Sequence, residues 1–218
     1  MLTANDLVSL IKKNGGNLLD KIDIEDIRTY LRLKARLTRE DVSQEASFQE
    51  LFRTHYRVQG VGVSKNFLQT LFTHLESVKN EEVFDFRLAS RALFGDRPKR
   101  NISSTQFAFL TKMANLVNPV YPIYDNYVAD FLEFDKPNQT HHSARERLNA
   151  YLEFYGYLTQ VYDDIISEDL LHDAMIVFKI LLKRYHNDEF PELSLPSVKK
   201  MDFLIEAAAE MQKRLITA

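Results

Sequence analysis

NISSTQFAFLTKMANLVNPVYPIY, residues 101–124, holds a single charge, Lys112, and closes directly onto Asp125. The chain is 27% charged, so a window of this length would ordinarily carry about six charges. Projected at about 100° per residue, Phe107, Phe109, Leu110, Met113, Ala114, Leu116 and Val117 cover more than half the circumference of a helix over Ser104 to Val117. Thr105, Ala108, Thr111, Lys112 and Asn115 are left as a narrow stripe. A helix so apolar belongs in the centre of a helical core. An ammonium alone among small neutral groups suits a cleft wall, where desolvation disfavours the charged amine. Asp125 follows Pro122-Ile123-Tyr124 and precedes Val128, Phe131 and Leu132, which is the position of a helix N-cap. The same spacing also fits a lysine that solvates one helix and an aspartate that caps the next.

Outward from this segment, apolar residues recur every three or four positions and no stretch sustains period-two alternation. The chain reads as all-α, about nine helices in a single domain over residues 1–218, with 1–135 and 136–218 as possible lobes around a cleft. Expected helices run Asn5 to Lys13, Asp23 to Leu37, Arg39 to Tyr56, Ser64 to Lys79 and Glu81 to Phe94 in the first half. In the second they run Ser104 to Val117, Asp125 to Phe134, Ser143 to Ser167 with a break at Gly156, Glu168 to Tyr185, and Ser197 to Ile216. All six prolines fall between these segments, where a missing N–H does no harm. The loops Asp135 to Thr140 and Asn187 to Pro196 are the candidate boundaries.

Composition removes several classes of function. With no cysteine there is no disulfide, thiolate metal site or thiol nucleophile. At 218 residues the chain buries a core without staples. No apolar run approaches a membrane span and the N-terminus lacks a basic region followed by a long apolar core, so a cytoplasmic protein is expected. A net charge of −3 argues against non-specific coating of nucleic acid, although a local basic face still binds phosphate. Two such clusters stand out. Arg28, Arg32 and Arg36 lie one turn apart, and Arg87, Arg91, Arg97, Lys99 and Arg100 lead into the neutral segment; each reads either as a solvated surface or as a phosphate contact. His141-His142 has no ligand-spaced partner, so neither a metal nor a cofactor is expected. The aromatic set Tyr151, Phe154, Tyr155 and Tyr162 follows helical spacing and reads as core. P-loop, dinucleotide and H-E-x-x-H motifs are absent.

The pattern K-x-A-N-x-V at Lys112 to Val117, then a proline, then I-Y-D-x-x-V at Ile123 to Val128, resembles the core of the helix-hairpin-helix DNA glycosylases, the endonuclease III and 8-oxoguanine glycosylase superfamily. Gln106 to Phe134 is also similar to a family of small uncharacterised bacterial proteins carrying T-K, N-P and P-I-Y-D; Phe107, Thr111, Lys112, Asn118, Pro119, Pro122, Ile123, Tyr124 and Asp125 match. The resemblance covers about thirty residues. It implies base excision from a flipped nucleotide, with Lys112 and Asp125 as catalytic residues, DNA as partner, and Arg97, Lys99, Arg100, Ser103 and Ser104 as nucleic-acid contacts. The glycosylases place a leucine-proline-glycine-valine-glycine hairpin before the lysine, whereas Ser103 to Phe107 stand here, and the spacing from lysine to aspartate is shorter. Val58-Gln59-Gly60-Val61-Gly62 is a second hairpin-like fragment. A non-enzymatic helical module that binds nucleic acid or protein is the alternative.

Overall fold

A computed structural model describes residues 2–19, 21–58, 63–95, 104–137, 142–185 and 195–217. Among them ten α-helices and no strands occur: α1 (Ala4–Leu19), α2 (Ile24–Arg39), α3 (Ala46–His55), α4 (Lys65–Val78), α5 (Phe86–Phe94), α6 (Ser104–Val117), α7 (Asn126–Phe131), α8 (Ala144–Ser167), α9 (His172–Tyr185) and α10 (Ser197–Thr217). No described helix is long and apolar enough to cross a membrane.

Side chains start these helices by satisfying orphan backbone donors. Asp23, Ser64, Asp85, Asp125 and Ser143 each accept from an N–H of the first turn, and Ser143 completes a capping box with Glu146. Three helices end alike. After α3, α7 and α8 the chain turns through a left-handed residue, Arg57 (φ 52°), Glu133 (φ 56°) and Asp169 (φ 51°). The following N–H then returns to a helix carbonyl: Val58 to Arg53, Phe134 to Ala129, and Leu170 to Ile165. Lysines cover other carboxyl ends. Lys34 Nζ donates to the carbonyls of Leu116 and Val117 at 2.8 and 2.6 Å, and Lys79 Nζ to that of Glu40 at 2.8 Å.

Two helices organise the packing. α6 touches α2, α4, α5, α7 and α8, while α10 touches α1, α7, α8 and α9. From Phe107 to Val117 every residue of α6 except Lys112 is buried, as its apolar width requires. Buried apolar side chains from all ten helices form one cluster.

Several expected boundaries move. The span Arg39 to Tyr56 divides, because Asp41 turns the chain: its carbonyl accepts from Gln44 and Glu45 N–H and its carboxylate from Ser43. Glu81 to Asp85 precedes α5 instead of opening it, since Asp85 is the cap. α1 runs through Asn14-Gly15-Gly16. Glycine costs about 1 kcal/mol per helical site, and Leu7, Val8 and Ile11, buried on a helix that packs against α8, α9 and α10, outweigh it. Gly156 leaves α8 unbroken between buried Tyr155 and Leu158. Gln59 to Gly62, Asp96 to Ser103, Asn138 to His141 and His186 to Ser194 lie outside the described residues.

Two outcomes follow. Leu110 is fully enclosed, so Leu110→Ala should lower the unfolding free energy by roughly 2–5 kcal/mol in chemical denaturation; a change of a few tenths would make α6 peripheral. Burial pushes the Lys34 amine from 10.5 to about 8. Between those values the unfolded chain holds the extra proton, so this group makes stability rise with pH from about 8 to 10.5. Denaturation across that window should show the rise, and Lys34→Met should flatten it.

Candidate functional site

Residues 121–125 are held in place by buried side chains, one backbone group after another. Asn115 Nδ2 donates to Tyr121 O at 2.7 Å, and the Tyr155 hydroxyl donates to Pro122 O at 2.7 Å. Ile123 N donates to Asp202 Oδ1 at 2.9 Å. Tyr124 N donates to Thr111 Oγ1 at 3.1 Å, and that hydroxyl lies 3.2 Å from Tyr124 O. Irregular backbone survives burial only when its polar groups are paired. Thr111 and Asn115, expected along a cleft wall, are instead buried and spent on this loop. The outcome is a rigid approach to Asp125, whose Oδ1 accepts from Val128 N at 2.8 Å.

Lys112 and Asp125 line one cleft of ≈ 370 Å³. Its walls come from α2 (Asp26, Thr29), the end of α3 (His55, Tyr56, Arg57), α6 (Ala108, Phe109, Lys112), the start of α7 and α10 (Lys199, Phe203, Glu206). Of the described residues of the α6 stripe, Ala108 and Lys112 face this space; Phe109 joins them from the apolar side. Lys112 Nζ donates to the Tyr56 carbonyl at 3.0 Å, at the carboxyl end of α3. Burial pushes the Lys112 amine below its ordinary 10.5; Asp125 and Glu206 oppose that shift, while Arg57 and Lys199 add to it.

Behind the cleft lies a buried ion pair within α10. Lys199 Nζ stands 3.4 Å from Asp202 Oδ2, with side chains 3% and 5% exposed. Asp202 also accepts from Asn115 Nδ2 at 3.1 Å and the Tyr162 hydroxyl at 3.2 Å. The Lys199 ammonium sits over the rings of Tyr30 and Phe203, 4.6 and 4.9 Å from their centres. Burial drives Asp202 above 3.8 and Lys199 below 10.5, each against the pull of the other.

The sequence singled out Lys112 and Asp125, and the fold brings them together. Arg97, Lys99, Arg100 and Ser103 lie outside the described residues; Ser104 is the first residue of α6. Arg28 and Arg36, on the first basic face, pair with Glu25 and Glu40 of their own segment. Asp26, His55, Lys199, Asp202 and Glu206 were not anticipated. The available signal was on α10, where Asp202 interrupts the apolar run Met201, Phe203, Leu204 and Ile205. No cluster of three His, Asp or Glu able to hold a metal ion occurs among the described residues.

No family model, curated protein or solved structure matches the chain.

The lysine's environment is directly measurable. Its side chain should titrate below 10.5 by site-resolved NMR, and Asp125→Asn should lower it further by removing the leading opposing charge. A wild-type value at or above 10.5 would remove the case for an activated amine.

Proposed function

We propose that this chain is a DNA glycosylase-like cytoplasmic enzyme that acts on a flipped nucleotide, with Lys112 as nucleophile and Asp125 as its electrostatic partner. The observation that carries the reading is that the two side chains share one cleft in which burial lowers the lysine's proton affinity. The cleft's ≈ 370 Å³ falls within the range of small-ligand sites, about 300–1,000 Å³. An extruded base and sugar are of that class.

In this reaction the neutral Lys112 amine attacks C1′ of the sugar. A C–N bond forms as the glycosidic bond breaks, and the bonding pair leaves with the base, which takes up a proton. The Asp125 carboxylate stabilises the positive charge that develops at C1′. Opening of the sugar ring gives a Schiff base, from which strand cleavage by elimination supplies lyase activity. Arg97, Lys99 and Arg100, with Ser103 and Ser104, are assigned to the DNA backbone.

A second reading has its own observation. Lys112 donates to the carbonyl of the residue that ends α3, Tyr56, as Lys79 donates to that of the residue that ends α2, Glu40, and Lys34 to the last two carbonyls of α6. In that reading Lys112 is a helix cap, and the chain is a non-enzymatic helical module that binds nucleic acid or a protein.

Borohydride trapping separates the two. Wild type incubated with duplexes carrying damaged or modified bases should yield a covalent protein–DNA adduct on reduction. Lys112→Ala should abolish it, and Asp125→Asn should reduce it by roughly 10²–10³-fold. No adduct across such duplexes, with Lys112→Ala losing only stability, would leave the capping module standing.

A further inference from the structure

We propose that His55 is the proton acceptor for Lys112 and that Asp26 positions its imidazole, so that the cleft carries a lysine–histidine–aspartate relay. This rests on the reading of Lys112 as a nucleophile. An ammonium has no lone pair and must lose a proton before it attacks, so the attack needs a base. That base must be neutral, close to the amine, and able to hold the proton once it arrives.

His55 shares the cleft with Lys112. It is the last residue of α3 and lines the cleft with a side chain that is 8% exposed. The carbonyl that receives the Lys112 ammonium, at 3.0 Å, belongs to Tyr56, so the amine is tethered to the residue that follows the histidine. His55 Nδ1 is enclosed and has no hydrogen-bond partner among the described residues. Leaving a buried nitrogen unpaired carries a desolvation cost that an incoming partner would relieve. The carboxylate facing it is Asp26 Oδ1, in the first turn of α2, at 3.7 Å. That distance is too long for a hydrogen bond. A small rotation of the ring closes it, and protonation turns the contact into a charge-assisted bond.

Three elements set the electrostatics around the ring. Asp26 of α2 favours the imidazolium; Lys112 of α6 and Lys199 of α10 disfavour it, and burial, the largest influence, keeps the ring below its ordinary 6.5. The ring is therefore neutral at pH 7 and able to accept. The step balances with a small aldehyde as electrophile. The Lys112 ammonium gives one proton to His55, and the freed lone pair forms a C–N bond while the carbonyl pair moves to oxygen; a second proton then passes from the nitrogen to that oxygen and gives a neutral carbinolamine. The imidazolium then returns its proton to the departing hydroxyl, and water leaves an iminium that cyanoborohydride reduces by hydride addition at carbon.

The test uses the full chain with propionaldehyde and cyanoborohydride, reading modification of Lys112 by peptide mass spectrometry across neutral pH, with exposed Lys65 as internal reference. Wild-type Lys112 should be modified faster than Lys65. In His55→Gln the Lys112 rate should fall by at least about tenfold while Lys65 is unchanged. Added imidazole should restore part of the rate in His55→Ala. Asp26→Asn, at a largely exposed position tolerant of change, should move the lower inflection of the Lys112 pH profile downward, since it removes the charge that favours the imidazolium. A Lys112 rate that tracks Lys65 in every variant, or a loss that imidazole does not rescue together with an unmoved profile in Asp26→Asn, would overturn the relay. Because no DNA is present, an intact relay without a DNA adduct rejects the glycosylase reading alone, and a DNA adduct with no effect of His55 rejects the relay alone.

Discussion

The Asp202 carboxylate is the constraint on which this structure depends. It sits fully enclosed on α10 and gathers donors from four places: Asn115 of α6, Ile123 N of the loop, Tyr162 of α8 and Lys199 of its own helix. Burying an ion pair costs several kcal/mol per charge. Hydrogen bonds to a charged acceptor return about 1.5–3 kcal/mol each, so the cluster roughly cancels in energy. Its contribution is position. A packing shift that separates α6, α8 and α10 leaves at least one donor and the carboxylate unsatisfied, whereas apolar side chains would slide past one another at little cost. The same carboxylate fixes Ile123, two residues before Asp125, so the core cluster and the cleft are joined by a short stretch of pinned backbone.

That connection explains why a short, nearly neutral sequence carries so much of the architecture. Thr111, Asn115, Pro122, Ile123 and Tyr124 all take part in holding residues 121–125, through hydroxyl, amide or backbone groups. Neutral polar groups satisfy buried backbone without the desolvation of a full charge, which accounts for the scarcity of charges between Asn101 and Tyr124. What reads along the chain as a stripe of small polar residues next to a lysine is in space two separate things. Thr111 and Asn115 turn inward to the loop, while Lys112 turns outward into the cleft.

The all-α class was legible because three- and four-residue apolar spacing persists along the chain, and helix starts were legible where Ser64, Asp125 and Ser143 supply caps. Ends inside a continuous apolar pattern were not. The turn between α2 and α3 depends on Asp41 and on Gln49, whose amide donates to the carbonyls of Val42 and Ser43; neither contact has a linear signature. Lys112 and Asp125 could be picked out because a lone charge and a cap are local features. Asp26, His55 and Lys199 come from three helices distant in sequence and become a site only through packing, so each looks ordinary in its own segment.

The carboxyl end of α3 decides how the cleft behaves. A helix C-terminus favours a cation, and Lys112 donates to the carbonyl of Tyr56, the residue that follows α3, yet the amine remains below its ordinary proton affinity. Burial therefore outweighs both the helix end and the opposing carboxylates of Asp125 and Glu206. His55, Tyr56 and Arg57 are consecutive and are fixed by one turn, in which Val58 N returns to Arg53 O at 2.8 Å. That turn simultaneously places an imidazole, the carbonyl that anchors the lysine, and a guanidinium that raises the local potential. The three cannot be adjusted independently. Any change that loosens this turn would release the lysine from its carbonyl and carry the imidazole with it, so the tether on the amine and the position of its base change together.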